Sequence, residues 1–96
     1  MIHEDSTISP APDQIACNLS GEMLLLQTTS GIYFGLDEIG TRVWNLIATA
    51  KRVREIRNSL VAEYDVDPET CTRDLLDLLE RMAVKRLIEV KSGART

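Results

Sequence analysis

Three short segments in the first half of the chain have the hydrophobic patterns of β-strands. The first and third alternate with a two-residue period, as half-buried strands do, whereas the second is apolar on both faces at residues 23–26. The three segments are Gln14 to Leu19, Glu22 to Thr28 and Ile32 to Leu36, separated by the turn signals Ser20-Gly21 and Thr29-Ser30-Gly31. Gly31 can supply the positive φ that a hairpin turn needs. The pattern predicts an antiparallel meander of three strands, with the second strand at its centre and the third at an open edge.

From Glu38 onward the hydrophobic period changes to about 3.6 residues, which is typical of helices. Asp37 is placed to cap a first helix, and Asp67-Pro68-Glu69 is a strong start signal for a third one that runs to about Val84. A second helix is predicted at about residues 54–63, and a short terminal strand at residues 87–90. Trp44 falls on the apolar stripe of the first helix, so we expect it in the core.

The two ends of the chain lack such patterns. Residues 1–12 contain prolines and small polar residues, which predict a flexible N-terminal segment with at most a short extended stretch at Thr7 to Ser9. Residues 91–96 read as a polar tail. The predicted domain therefore comprises residues 13–90.

Composition narrows the class of protein. A chain of 96 residues with 44% hydrophobic and 27% charged residues is suited to one folded domain with a small core. A net charge of -4 argues against a nucleic-acid partner, since that binding depends on Lys and Arg at phosphates. The chain has neither the apolar run of a membrane span nor the basic start of a secretory signal. We therefore expect a cytoplasmic protein with no membrane contact.

Reactive side chains are sparse. Cys17 and Cys71 occupy positions that read as apolar, which favours buried thiols over a disulfide. The single histidine, His3, lies in the N-terminal segment, and no glycine-rich phosphate loop is present. The sequence therefore predicts no catalytic residues, no metal and no cofactor.

The third helix has more apolar surface than a core stripe needs. At about 100° per residue, Thr72, Leu76 and Ala83 extend the apolar arc on one flank, whereas Arg81 lies on the other. Either this flank packs against a neighbouring helix or the sheet, or it walls a groove beside the edge strand in which an extended peptide adds as a further strand. The charged residues beside it, Arg73, Asp77 and Glu80, either set partner choice or are solvated surface.

The stretch from Gly31 to Trp44, GIYFGLDEIGTRVW, resembles the G-x-Y-x-x-L-N-x-x-G-x-x-I/V-W signature of PqqD-like proteins. Less specific segments at residues 62–66, 74–79 and 87–88 are similar to later parts of the family pattern. The resemblance implies an α+β, winged helix-turn-helix-like domain, with a three-stranded antiparallel sheet followed by three α-helices. It further implies a recognition element for ribosomally made precursor peptides (a RiPP recognition element), whose leader segment lies beside the third strand and against the last helix.

Two departures from the family pattern refine this implication. Residues 27–31, QTTSG, replace a P-E-G segment, so the chain looks more like the stand-alone leader-binding proteins of lasso-peptide clusters. Such proteins serve a separate leader protease. Arg86 stands where a glycine usually precedes the final strand, which affects only the end of the last helix.

The sequence therefore predicts a non-enzymatic protein that binds a precursor leader peptide and presents it to a leader protease or other modifying enzyme. The residues predicted to contact the peptide are Gly31, Ile32, Tyr33, Phe34, Thr72, Arg73, Leu76, Leu79, Glu80 and Ala83. Candidates for the enzyme-docking surface are Arg52, Arg54 and Arg57. The unpaired sheet edge predicts a monomer or a weak homodimer. The alternative is a winged-helix DNA-binding protein, which the acidic Glu69 and Glu80 disfavour.

Overall fold

The computed structural model describes residues 2–20 and 22–92. This part of the chain contains three helices and six strands, and the strands form two antiparallel sheets. The strands are β1 (Thr7–Pro10), β2 (Gln14–Leu19), β3 (Glu22–Gln27), β4 (Ile32–Leu36), β5 (Lys51–Arg52) and β6 (Ile88–Lys91). The helices are α1 (Glu38–Leu46), α2 (Val53–Tyr64) and α3 (Pro68–Val84). The predicted α+β class is confirmed, although the chain has more strands than the sequence predicted.

The predicted meander is present as the sheet β2-β3-β4, with β3 at its centre. Gly31 adopts a φ of 76°, as the turn between β3 and β4 requires. The buried Gln27 side chain fixes this turn, because its Oε1 accepts hydrogen bonds from the backbone N–H of Thr29 at 2.7 Å and of Ser30 at 3.0 Å. Gly21, from the other predicted turn, and residues 93–96 of the predicted tail lie outside the described residues.

The second sheet, β5-β1-β6, gives the N-terminal segment a role that the sequence did not predict. We expected a flexible segment at residues 1–12, but β1 is the central strand of this sheet and Ile8 has no exposed surface. Further hydrogen bonds from the backbone N–H of Val53 to Ser6 O and of Arg54 to Glu4 O, both at 3.0 Å, hold the segment against α2. Because these partners lie more than 40 residues away in sequence, local pattern could not show them.

Capping side chains define where α1 and α3 begin. Asp37 Oδ1 accepts a hydrogen bond from Gly40 N at 2.8 Å, and Asp67 Oδ2 accepts one from Thr70 N at 2.9 Å. The bond from Thr70 lowers the pKa of the Asp67 carboxyl below its ordinary value. The predicted starts of both helices are thus confirmed.

The core lies between the helices and the two sheets. Its fully buried side chains include Ile8, Leu25, Val43, Ile47, Val53, Ile56, Leu79, Met82 and Leu87. Trp44 is 8% exposed and Cys71 is buried, as predicted. Cys17 was predicted to be buried but is exposed, because residues 15–19 of the edge strand β2 are exposed on both faces of the sheet.

Candidate functional site

Strand β4 forms one edge of the meander sheet. It pairs with β3 on one side, and no other strand in residues 2–20 and 22–92 pairs with its outer side. The terminal strand β6 pairs with β1 in the other sheet and so does not cover this edge. Alternate residues of an edge strand direct their N–H and C=O groups outward, where another chain can pair with them.

A groove runs between this edge and α3. Phe34, Gly35 and Leu36 of β4 line one side, and Leu78 and Arg81 of α3 line the other, around a volume of about 160 Å³. Arg81 Nε lies 3.3 Å from Asp77 Oδ2, but the arginine side chain is 59% exposed. Asp37 completes the lining, so the groove combines apolar side chains with one accessible cation and one acidic residue.

Leu78 also borders a second, more apolar cavity of about 140 Å³. This cavity lies among the three helices and is lined by Ile39, Val43, Leu60, Tyr64, Val66, Cys71, Asp74, Leu75 and Leu78. Ile39 and Val66 retain 37% and 38% of their surface exposed. Burial raises the pKa of the Cys71 thiol, which favours the neutral form and keeps the lining apolar. A cavity of this kind can accept one apolar side chain from outside.

The four predicted site residues on and before β4 lie at this edge. Gly31 forms the turn that precedes the strand, Ile32 and Phe34 share the face turned toward the helices, and Tyr33 points to the opposite face. Ile32 is 41% exposed and Tyr33 is 63% exposed. Their accessibility fits the predicted role, and their contact with a peptide stays a prediction.

The predicted residues on α3 lie elsewhere. Leu79 has no exposed surface and belongs to the core. Thr72, Arg73 and Leu76 line an open groove of about 400 Å³ with Glu4, Arg57, Pro68 and Glu69. Thus these four residues are not brought to the groove beside β4 that Leu78 and Arg81 line.

The remaining two predicted α3 residues also face the N-terminal segment. Glu80 Oε2 accepts a hydrogen bond from Ile2 N at 3.1 Å, and Ala83 lines a cavity together with Ala11 and Pro12. The predicted apolar flank is therefore partly covered within the chain, since Leu76 and Ala83 are partly buried against the core. The sequence left two interpretations of this flank open, packing within the chain or a wall of a peptide groove. These contacts agree with the first.

Sequence reasoning missed Leu78 and Arg81. At about 100° per residue, Leu78 falls on the core stripe of α3, and Arg81 falls on the flank opposite the predicted groove. A usable signal was present, because a leucine and an arginine three residues apart share one side of a helix. This signal can be used only when it is known which flank of α3 the N-terminal segment borders.

The proposed basic docking surface is also partly occupied. Arg54 is paired with Asp5, and Arg57 Nη1 lies 2.8 Å from Glu4 Oε1. Both arginines thus help to hold the N-terminal segment.

In the part of the chain that the structure describes, no cluster of three His, Cys, Asp or Glu side chains could hold a metal ion. None of the helices described is long and apolar enough to cross a membrane.

These features define a class of protein: a small α+β domain with an open sheet edge beside an apolar groove, the arrangement in which other domains receive an extended peptide. The family model described as coenzyme PQQ synthesis protein D (PqqD) matches residues 22–88, and the chain belongs to this family. The resemblance seen in the sequence is therefore confirmed.

Two solved structures are similar to the whole domain. One, described as "TbiB1 in Complex with the TbiA(beta) Leader Peptide", has a TM-score of 0.79 and 40% identity, over 84% of this chain and 94% of that one. The other, described as "Lasso peptide synthetase B1 complexed with the leader peptide", has a TM-score of 0.76 over 85% of this chain and 96% of that one. At 18% identity, the second structure shows the shared fold alone. No curated protein matches the chain.

Proposed function

We propose that this chain is a non-enzymatic recognition element that binds the leader region of a ribosomally made precursor peptide. The observation that carries the proposal is the open edge of β4 beside the groove of Leu78 and Arg81. The similar structure at 40% identity was solved with a leader peptide, which supports the same ligand class here. The similarities give no support to the DNA-binding alternative.

Binding by strand addition uses two kinds of contact. The main chain of the peptide pairs with the outward N–H and C=O groups of β4, which gives affinity without much dependence on sequence. Alternate peptide side chains then point toward α3, into the groove beside Leu78. These side chains supply the dependence on sequence.

The cavity that shares Leu78 gives the peptide an anchor position. An apolar side chain there leaves water and contacts Val43, Leu60 and Leu75. Full burial of one side chain of leucine size contributes about 2 kcal/mol. We therefore expect one apolar leader residue to dominate the effect of substitutions in the peptide.

The chain acts by placement and does no chemistry itself. When the adaptor holds the leader and also docks on a leader protease or other modifying enzyme, the peptide reaches a local concentration of about millimolar at that enzyme. This role needs no metal or cofactor.

Isothermal titration with the leader peptide encoded beside this chain tests the proposal. The wild-type protein should bind the peptide, and Leu78→Asp should abolish binding because it places a carboxylate between the groove and the apolar cavity. Val84→Asp is the matched control, since Val84 lies on the same helix and is 80% exposed. Absence of binding by the wild-type protein at high micromolar peptide would refute the proposal.

A further inference from the structure

Arg86, just after α3, has a backbone conformation that favours glycine. Its φ is 61°, in the left-handed region. The N–H of Arg86 donates to Ala83 O at 3.0 Å, and the N–H of Leu87 donates to Met82 O at 3.0 Å. These two bonds form the Schellman motif that closes a helix, and they place Arg86 at the position where glycine is most common. An arginine at this position therefore costs stability that a glycine would not.

The Arg86 side chain takes no part in holding the fold through an ion pair. The ion pairs within residues 2–20 and 22–92 use five other arginines. Arg86 is exposed and lines a cavity of about 560 Å³, together with the carboxylates of Asp13 and Glu89. A residue held in a sparsely populated backbone conformation is a candidate functional position. This conformation singles out Arg86 among the three charged residues of the cavity.

The cavity lies at the end of the peptide-binding edge where β4 begins. Thr29 and Ser30 line it, and both belong to the turn directly before β4. Ala83 also lines it, two residues after Arg81, which lines the groove beside β4. An extended chain rises about 3.3 Å per residue, so a peptide paired with Phe34 needs about four more residues to reach this turn. The groove and the cavity can therefore contact one continuous peptide.

We propose that the cavity receives the part of the leader that continues past the Ile32 end of β4, and that Arg86 binds the carboxylate of an Asp or Glu residue in that part. The inference rests on the proposed function, because the peptide paired with β4 brings this segment to the cavity. A guanidinium group can donate two parallel hydrogen bonds to one carboxylate. Asp13 and Glu89 repel an acidic side chain elsewhere in the cavity, so the carboxylate must reach Arg86 itself. The site thus selects leaders by an acidic residue at a fixed spacing from the strand-forming residues.

Arg86→Gly separates this role from a structural one, because stability and binding should change in opposite directions. Glycine relieves the left-handed strain, so the melting temperature should rise by a few degrees. In isothermal titration with the leader peptide encoded beside this chain, the same variant should bind about tenfold more weakly than the wild-type protein. Lys91→Gln also removes one positive charge, from an exposed position on β6 that does not line the cavity, and should bind the leader like the wild-type protein.

Substitutions in the leader identify the partner of Arg86. Each Asp or Glu of the leader is changed in turn to Asn or Gln. One of these changes should weaken binding to the wild-type protein by about tenfold and should have no further effect on binding to Arg86→Gly. Equal binding of all these leaders to the wild-type protein overturns the inference, and so do losses that simply add to the loss caused by Arg86→Gly.

The proposed function and the Arg86 site fail in different ways. Absence of leader binding by the wild-type protein removes the proposed function. Leader binding that is equally tight in the wild-type protein and Arg86→Gly overturns the Arg86 site alone. Tighter binding by Arg86→Gly, together with weaker binding by Asp13→Asn or Glu89→Gln, assigns the cavity to a basic leader residue and also overturns the inference.

Discussion

The carboxylate of Glu80 accepts a hydrogen bond from the backbone N–H of Ile2 at 3.1 Å, joining residues 78 positions apart. This contact ties the start of the chain to the flank of α3 that carries Thr72, Leu76 and Ala83. The sequence presented that flank as an unpartnered apolar surface, because the segment that covers it looked too short and too polar to pack. One misjudged segment therefore explains why the groove was predicted on the flank of α3 that borders the N-terminal segment and not on the flank beside β4.

We predict that Ile8→Ala destabilises the domain by about 3 kcal/mol, the usual cost of such a truncation in a core. Ile8 is fully buried at the centre of the second sheet, so the substitution leaves a cavity there. Urea denaturation followed by tryptophan fluorescence measures the change, with Thr7→Ala on the same strand as the milder control. Equal stability of Ile8→Ala and the wild-type protein would instead support the prediction that residues 1–12 form a flexible segment.

The two flanks of α3 should respond differently to the same substitution. We expect Leu76→Asp to lower thermal stability, because Leu76 packs partly buried beside the N-terminal segment, and to leave leader binding in place where the protein is folded. Leu78 is also partly buried, so Leu78→Asp should lower stability as well, but it should in addition remove leader binding from the folded protein. Titration at a temperature well below both melting points separates the two effects. Loss of binding in folded Leu76→Asp would favour the groove predicted from the sequence.

Local signals in the sequence were sufficient for most of the fold. Alternation located β2 and β4, and an apolar run between two turn signals located β3. The caps at Asp37 and Asp67 located the starts of two helices, because each of these patterns lies within a few residues. The strands β1 and β5 have four and two residues and pair across more than 40 positions. Their stability comes from tertiary contacts, which no local window contains.

Alternation also leaves one question open, which is whether the apolar side of a strand faces the core. Ile15, Cys17 and Leu19 were expected on a buried face, yet all three are exposed. The period of two fixes which residues share a face and is silent on what covers it. For the same reason, the open edge at β4 could be predicted from strand order, whereas the flank of α3 that lies beside this edge could not.

Acid should destabilise the domain partly through two carboxylates. The cap bond from Thr70 lowers the pKa of Asp67, and the paired bonds from Arg42, at 2.8 and 2.7 Å, lower that of Glu63. A pKa that is lower in the folded state adds stability at neutral pH, and this is lost as the pH falls through the folded value. We expect the melting temperature to decline between about pH 5 and pH 3.

Asp67→Asn and Glu63→Gln should each flatten that decline, since neither new side chain titrates. Asn remains a good capping residue, so Asp67→Asn should keep most of the stability at neutral pH. Asp65→Asn makes the same change of charge two residues away, at the left-handed C-cap of α2, and should leave the pH dependence contributed by Asp67 in place. Thermal melts at a series of pH values measure how the melting temperature depends on pH. If this dependence is the same in Asp67→Asn as in the wild-type protein, the cap carboxylate is not the source of the decline.

The edge of β4 gives the most direct prediction, because strand addition must protect backbone amides that exchange in the free protein. We expect saturating leader peptide to slow hydrogen exchange at alternate residues within Ile32–Leu36, where outward N–H groups gain carbonyl partners. Amides of β2, at the opposite edge of the sheet, should change little and serve as the internal reference. Hydrogen exchange measured amide by amide with NMR distinguishes the two strands. Protection of β2 in place of β4 would move the peptide to the other edge, whereas protection of neither would mean that the peptide binds through side chains alone.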